Sequence, residues 1–400
     1  MSRLILPEPP GELKRLSKAL SARIREEIDR EGMIPFARFM DRALYEPGLG
    51  YYSAGLHKFG ESGDFVTSPE LGPLFAACLA RQVREAGTAL GGYEVLEIGA
   101  GSGRLAAGLL SSLGPEAGPV RYRILERSAD LKEAQRDCLA REAPGSLDLV
   151  EWIDEPPEDD WEGVLIANEV LDALAVERFR LEDGDIRQLC VGVGEDGFCW
   201  DSRQAPAELA DAVAGLEAVL GDGYLQRLGR RGYQSEINPL LSPWLQAVTR
   251  SMRRGLALFV DYGYPRSEYY LPERRDGTLM CHYRHRAHED VFFWPGLQDL
   301  TAWVDFTALA EAADACGLDV EGYCSQAMFL LGCGLEQVLA EEAAISDETA
   351  AERAAEARQL TLPGMMGERF QVMGLGRGLD RPLSGFGLQD LRHRLDAPGR

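Results

Sequence analysis

The stretch Tyr93–Leu110, YEVLEIGAGSGRLAAGLL, constrains this chain more than any other. An apolar run of strand length enters a turn carrying Gly99, Gly101 and Gly103, and an apolar helix follows. Strand, glycine turn and helix in that order open a nucleotide-type site in α/β folds. Main-chain amides at the helix start face a polar ligand, and glycines let it come close. The spacing is G-x-G-x-G with Arg104 next, which departs from the G-x-G-x-x-G dinucleotide fingerprint. No Lys-Ser/Thr pair follows, so a P-loop is excluded. Glu97 stands just before the turn, and an acid there suits a ligand carrying an ammonium and a sulfonium instead of a pyrophosphate. The E-x-G-x-G-x-G form points to S-adenosylmethionine.

The neighbouring strands carry polar residues at their ends. RYRILER, residues 121–127, reads as a second strand ending in Glu126. That acid lies about 25 residues beyond the glycines, where Rossmann-like sites hold a ribose. SLDLVEW, 146–152, reads as a third strand. Trp152 there is suited to stacking on a purine and Asp154 to its amino group, against a half-buried Trp and a solvated acid. GVLIANEVLDAL, 163–174, is a buried fourth strand whose polar residues Asn168, Glu169 and Asp172 come only at its end. Ligands of open α/β sheets lie beyond the carboxyl ends of the strands, so chemistry is expected there. GLALFVDYGYP, 255–265, is a fifth strand ending in Asp261 and Tyr262.

Elsewhere the pattern is mostly structural. Ser68 and Pro69 read as the start of a long helix reaching Ala86, while Asp64 and Thr67 just before them are left for a ligand. Tyr45, Tyr51 and Tyr52 are candidates to line a pocket, with aromatic packing as the plainer account. Residues 176–203 alternate around Asp183-Gly184 and Asp196-Gly197 and read as a β-meander. Glu236 precedes a helix that Asn238 and Pro239 are expected to start. Asp299 and Asp305 read as helix-capping acids. Residues 318–332 read as one strand, and 369–376 as the last.

At 400 residues the chain implies two domains or one core with large insertions. The expected division is a helical N-terminal segment over 1–90, a core over 91–376 with an insertion near 200–250, and a tail over 377–400. Sixty-five acids against 42 basic residues give a net charge of −23, which opposes nucleic-acid partners and favours a basic one. Eight scattered cysteines form no CxxC pair, and His282, His285 and His288 suit a polar loop, so no metal is expected. No apolar run has the length of a membrane span. The N-terminus reads as neither signal nor transit peptide, so a cytoplasmic protein is expected. The oligomeric state is left open.

Taken together, GDFVTSPELGPLF, EIGAGSGRLA, ANEVLDALAVERF, QSEINP, FVDYGYP and PG-x-QDLTAWVDF occur in that order across most of residues 30–330. In this the chain resembles the MidA-like family of S-adenosylmethionine-dependent methyltransferases, which includes mitochondrial arginine methyltransferases that assist complex I assembly. The resemblance implies an α/β fold: a Rossmann-like methyltransferase core, a mostly parallel seven-stranded sheet, with a helical N-terminal segment and insertions. It further implies that Gly99, Gly101 and Gly103 border the cofactor, Glu126 holds the ribose, and Trp152 and Asp154 lie near the adenine. Asn168, Glu169 and Asp172 would face the reaction, with Asp64 and Thr67 closing over it. The implied acceptor is an accessible arginine of a protein, in a complex I subunit.

A guanidinium is planar and always charged, so paired carboxylates clamp it and polarise the attacking nitrogen. Glu169 and Glu236 are the candidates for that clamp, with Asp172 or Asp261 in reserve, and one carboxylate also serves as base. Two other readings stand beside this one: a methyltransferase for a small molecule, and a non-catalytic assembly chaperone that binds the cofactor.

Overall fold

A computed structural model of the chain describes residues 6–54, 67–182, 184–230, 232–343 and 346–395. Apolar runs form the main sheet at the predicted places, except that the third strand starts only at Val150, the residues before it forming the 3-10 helix Pro144–Leu149. The strands are β1 (Glu94–Ile98), β2 (Arg121–Leu125), β3 (Val150–Ile153), β4 (Trp161–Asn168), β5 (Met252–Tyr264), β6 (Asp319–Ser325) and β7 (Phe370–Arg377). They lie in the order β6-β7-β5-β4-β1-β2-β3, and the short Val304–Asp305 strand pairs with the end of β5. All neighbours from β5 to β3 are parallel, and only β7 runs against its two neighbours. Parallel neighbours need crossover connections, and helices cover both faces of the sheet. Helices Leu74–Leu90 and Arg104–Ala117 bury one face, and Leu241–Thr249 and Phe306–Ala315 bury the other. The fold is mixed α/β with a mostly parallel sheet.

Strand order reverses between β1 and β4. Their ends lie side by side, since Ile98 pairs with Ala167, while Asn168 at the end of β4 pairs with Val260 of β5. The glycine turn, Glu169 and Asp261 thus leave the sheet at one switch point, where open α/β sheets bind ligands.

Two smaller antiparallel sheets sit on this frame. The predicted meander forms as Glu177–Glu182, Asp185–Gly194 and Gly197–Gln204, joined by Tyr233–Ile237 and by Ile34–Pro35 from the N-terminal part. Met280–Tyr283 carries Arg286–His288 on one side and Asp299–Thr301 on the other. Helices Gly11–Glu31 and Phe36–Tyr45 pack over both, with Ile24, Phe39, Val191 and Leu300 in one shared core.

Three local expectations change. The helix expected from Ser68 to Ala86 is a four-residue turn, Ser68–Leu71, and a separate helix from Leu74, because Gly72-Pro73 interrupts the ladder. Residues 318–332 are a strand followed by the helix Gln326–Gly332, started by Ser325, whose side chain accepts from the Met328 amide. Glu236 lies inside the strand Tyr233–Ile237, and the helix expected to follow starts at Leu241, two residues past Pro239.

Candidate active site

The glycine turn is held open by its backbone. Gly99 and Gly103 have φ of 65° and 87°, in the left-handed region, and a Cβ on Gly103 would come within 3.0 Å of the Gln135 Cα. Gln135, fully buried on the helix Ala129–Glu142, links residues around the glycine turn. Its amide nitrogen donates to the Gly101 carbonyl at 3.1 Å and to the Glu126 carboxylate at 3.2 Å, and its oxygen accepts from the Trp152 indole at 2.9 Å. Gln135 thereby joins Gly101, Glu126 and Trp152 in one hydrogen-bonded group. Gln135 itself escaped notice, because a lone Gln in a polar helix reads as surface. Glu126 also accepts from the Ser128 amide at 2.8 Å. Asp154 is exposed and pairs with Lys132 at 2.7 Å.

Glu97 is buried and accepts from the Tyr122 hydroxyl at 2.6 Å. Burial pushes its carboxyl up to about 7. Gly103→Val should weaken S-adenosyl-homocysteine binding by roughly 10- to 100-fold in equilibrium dialysis, since a β-branched residue there is strained and displaces Gln135.

Across the switch point lies an acidic group. Glu169 follows β4 with a φ of 54°, rare for a residue with a side chain. Its amide donates to the Val260 carbonyl at 2.8 Å, which turns the chain so that the next three amides converge on one Asp261 oxygen. Val170, Leu171 and Asp172 donate to it at 3.1, 2.8 and 3.2 Å, and Tyr262 donates to the other oxygen at 2.8 Å. Strained backbone of this kind costs of order 1–3 kcal/mol and gathers at functional sites.

Asp172, Asp261 and Asp299 are all at most 5% exposed. Burial, then the neighbouring Asp261 charge, pushes Glu169 up to about 8. The Asn168 side chain (3.1 Å) and the Ser68 main-chain amide oppose that shift by donating to Glu169. Burial also drives Asp172 well upward, and its charged neighbours Asp261, Asp299 and Glu169 push the same way. Burial pushes Asp261 up to about 7 and the four amides aimed at it oppose that rise, so of the two carboxyls Asp172 holds its proton more tightly. Tyr52 donates to Asp299 at 3.0 Å and stacks on Tyr45 with ring centroids 5.6 Å apart. Tyrosines and carboxylates together make walls suited to a cation.

Asp299 was expected to cap a helix. Asp305 does that, accepting from the Thr307 and Ala308 amides, whereas Asp299 sits in a strand of the small sheet. Glu236, expected beside Glu169, is committed elsewhere. It is fully buried, accepts from Arg178 at 2.9 Å, and takes the Thr278 amide at 2.7 Å on its other oxygen. Thr67 precedes the Ser68–Leu71 turn without a side-chain capping bond, and Asp64 lies outside the described residues. A cavity of about 380 Å³ lies beside Leu171 and Ala302 and is lined further by Ile237, Tyr270 and Trp303.

A glycine turn and strand-end acids at the switch point of such a sheet are the apparatus of methyl transfer. The chain belongs to a family of S-adenosyl-L-methionine-dependent methyltransferases, whose profile matches residues 74–324. Over 97% of its length it superposes, with a TM-score of 0.90 and 42% identity, on the whole of a Burkholderia thailandensis protein solved with S-adenosyl-homocysteine bound. Mouse protein arginine methyltransferase NDUFAF7, mitochondrial, is 28% identical over 87% of this chain and 82% of its own. The Drosophila melanogaster homolog of the same name is also 28% identical, over 95% and 92%. The chain is thus an enzyme that uses S-adenosylmethionine as methyl donor. The cytoplasmic expectation is corrected by these curated relatives, which are mitochondrial proteins.

Proposed function

We propose that this enzyme methylates an arginine side chain of a protein. The observation that carries the reading is the acidic, tyrosine-walled group beside the glycine turn, where burial raises the Glu169, Asp172 and Asp261 carboxyls and an entering cation would favour their ionised forms, with Asp299 held by Tyr52 alongside. The names of the curated relatives support it, and the family resemblance points to a subunit of complex I as the acceptor. The frame we infer is a Rossmann-like methyltransferase core of seven strands, with the N-terminal helices and the segment between β4 and β5 as additions.

In this reading S-adenosylmethionine supplies an electrophilic methyl group on a sulfonium. Gly99, Gly101 and Gly103 border it, Glu97 lies buried below the turn, Glu126 holds its ribose, and Trp152 and Asp154 flank its adenine, with Thr67 at the lip. Glu169 and Asp299 clamp the guanidinium from the core and from the small sheet, in place of the Glu169–Glu236 pair. Asn168 orients Glu169, and Asp172 takes up the proton balance with Asp261. Glu169 then accepts the proton that the attacking nitrogen releases. Methyl transfer needs its two reactants about 3 Å apart and in line, so most of the catalysis is positioning. The cavity beside Leu171 gives room for residues flanking the acceptor.

Incubation with methyl-labelled S-adenosylmethionine and a cell extract tests the reading. Label in a protease-sensitive band supports it. Label confined to small molecules favours the alternative enzyme, and no label with intact cofactor binding favours the chaperone.

A further inference from the structure

Gln135 takes a position that helical pattern gives to an apolar residue. The helix Ala129–Glu142 buries Leu131, Gln135, Cys138 and Leu139 along one stripe, and Gln135 alone of them carries an amide. Burying an amide is costly unless its donors and its acceptor are met. Here three partners of fixed polarity meet them. The Gly101 carbonyl and the Glu126 carboxylate accept and the Trp152 indole donates, so one orientation of the amide serves all three. The partners stand at the ends of neighbouring strands: Gly101 in the turn after β1, Glu126 just past β2, and Trp152 within β3. The Ser128 amide holds the other Glu126 oxygen at 2.8 Å, so that carboxylate is gripped at both oxygens. Gly103 permits the close approach, since a Cβ there would meet the Gln135 Cα at 3.0 Å and its carbonyl oxygen at 3.3 Å. Packing alone would be served by a leucine, which has no polar group to satisfy.

We propose that Gln135 is a positioning residue for the methyl donor: its amide sets the Gly101 carbonyl, the Glu126 carboxylate and the Trp152 indole in one geometry, so that turn, ribose and adenine contacts are made together. Gln135 acts through these partners, and its role rests on the donor contacts proposed for them above. Holding the three in place before the donor arrives removes the cost of ordering them on binding.

Equilibrium dialysis of the full chain with S-adenosyl-homocysteine as probe tests the assignment. Gln135→Leu, in protein that remains folded, should weaken binding roughly 10- to 100-fold. Glu126→Ala should weaken it too. In the Gln135→Leu background the Glu126→Ala change should cost at least about threefold less than it does alone, because the carboxylate is no longer held. Gln135→Glu keeps an acceptor for Trp152 but donates only when protonated, so its affinity should recover as pH falls from about 8 to about 5, beyond any change in the natural protein. A purely structural role would shift the melting temperature without that pH response. If Gln135→Leu does not fold, Gln135→Glu carries the test. Binding within about twofold of the natural protein in folded Gln135→Leu, additive losses in the double variant, or a flat pH response in Gln135→Glu overturns the positioning role. Unaltered binding in Glu126→Ala would instead refute the ribose contact itself, and the positioning role with it.

Discussion

Glu169→Gln should leave S-adenosyl-homocysteine binding within about twofold while slowing methyl transfer by roughly 10²- to 10⁴-fold, the usual range for loss of a positioned acid–base group. The amide keeps the shape of the side chain and its contact with Asn168, but it neither accepts a proton nor balances a cation. The pH dependence follows from the raised carboxyl. With Glu169 pushed up to about 8, the fraction ionised grows as pH rises, so the natural enzyme should gain rate up to that region. The variant should lose that limb of the profile.

Stability should move the other way. The folded protein holds the Glu169 proton above the pH at which the unfolded chain releases it, so this group lowers stability as pH climbs from about 4.5 toward 8. The Gln variant should melt higher than the natural protein at pH 7.5, and the gap should close below the unfolded carboxyl range. Equal melting at both pH values would contradict the buried-acid account.

The second large effect lies away from the chemistry. Arg178→Met should destabilise the fold by about 3–5 kcal/mol in urea unfolding, because it strands the Glu236 carboxylate without its counter-charge. Arg178 also donates to the Asp276 carbonyl at 2.8 Å and lies 4.9 Å from the Trp200 ring centroid, so three contacts go at once. Adding Glu236→Leu should recover much of the loss, since an apolar pair replaces the buried ions. In the single variant, activity lost should follow the unfolded fraction. Undiminished stability with abolished methyl transfer would return Glu236 to the acceptor site.

What was legible in the sequence is what local pattern encodes. β1 and its turn stand out because apolar periodicity changes abruptly at three glycines, and Glu169 stands out with Asn168 as a polar pair closing the apolar run 163–167. Asp299 left no such trace. Its strand is three residues long, and its tyrosine partner is 247 positions away. Glu236 was misplaced because the helix signal of Asn238-Pro239, answered by the helix Leu241–Thr249, hid the strand before it, in which pairing with Glu177–Glu182 sets Glu236 opposite Arg178. The helix after Ser325 was hidden inside an apolar run that suits a strand equally well, and only its capping bond separates the two. The carboxylate cluster is therefore half local and half tertiary: the core end was readable, and the small sheet's contribution was not.

The central claim is that the acceptor is an arginine in a protein. The most direct measurement is amino-acid analysis of the labelled protein band after acid hydrolysis. This account expects the label in methylated arginine, with none when the enzyme carries Glu169→Gln. Label recovered in methyl-lysine or another residue, or as base-labile methyl ester, would contradict it.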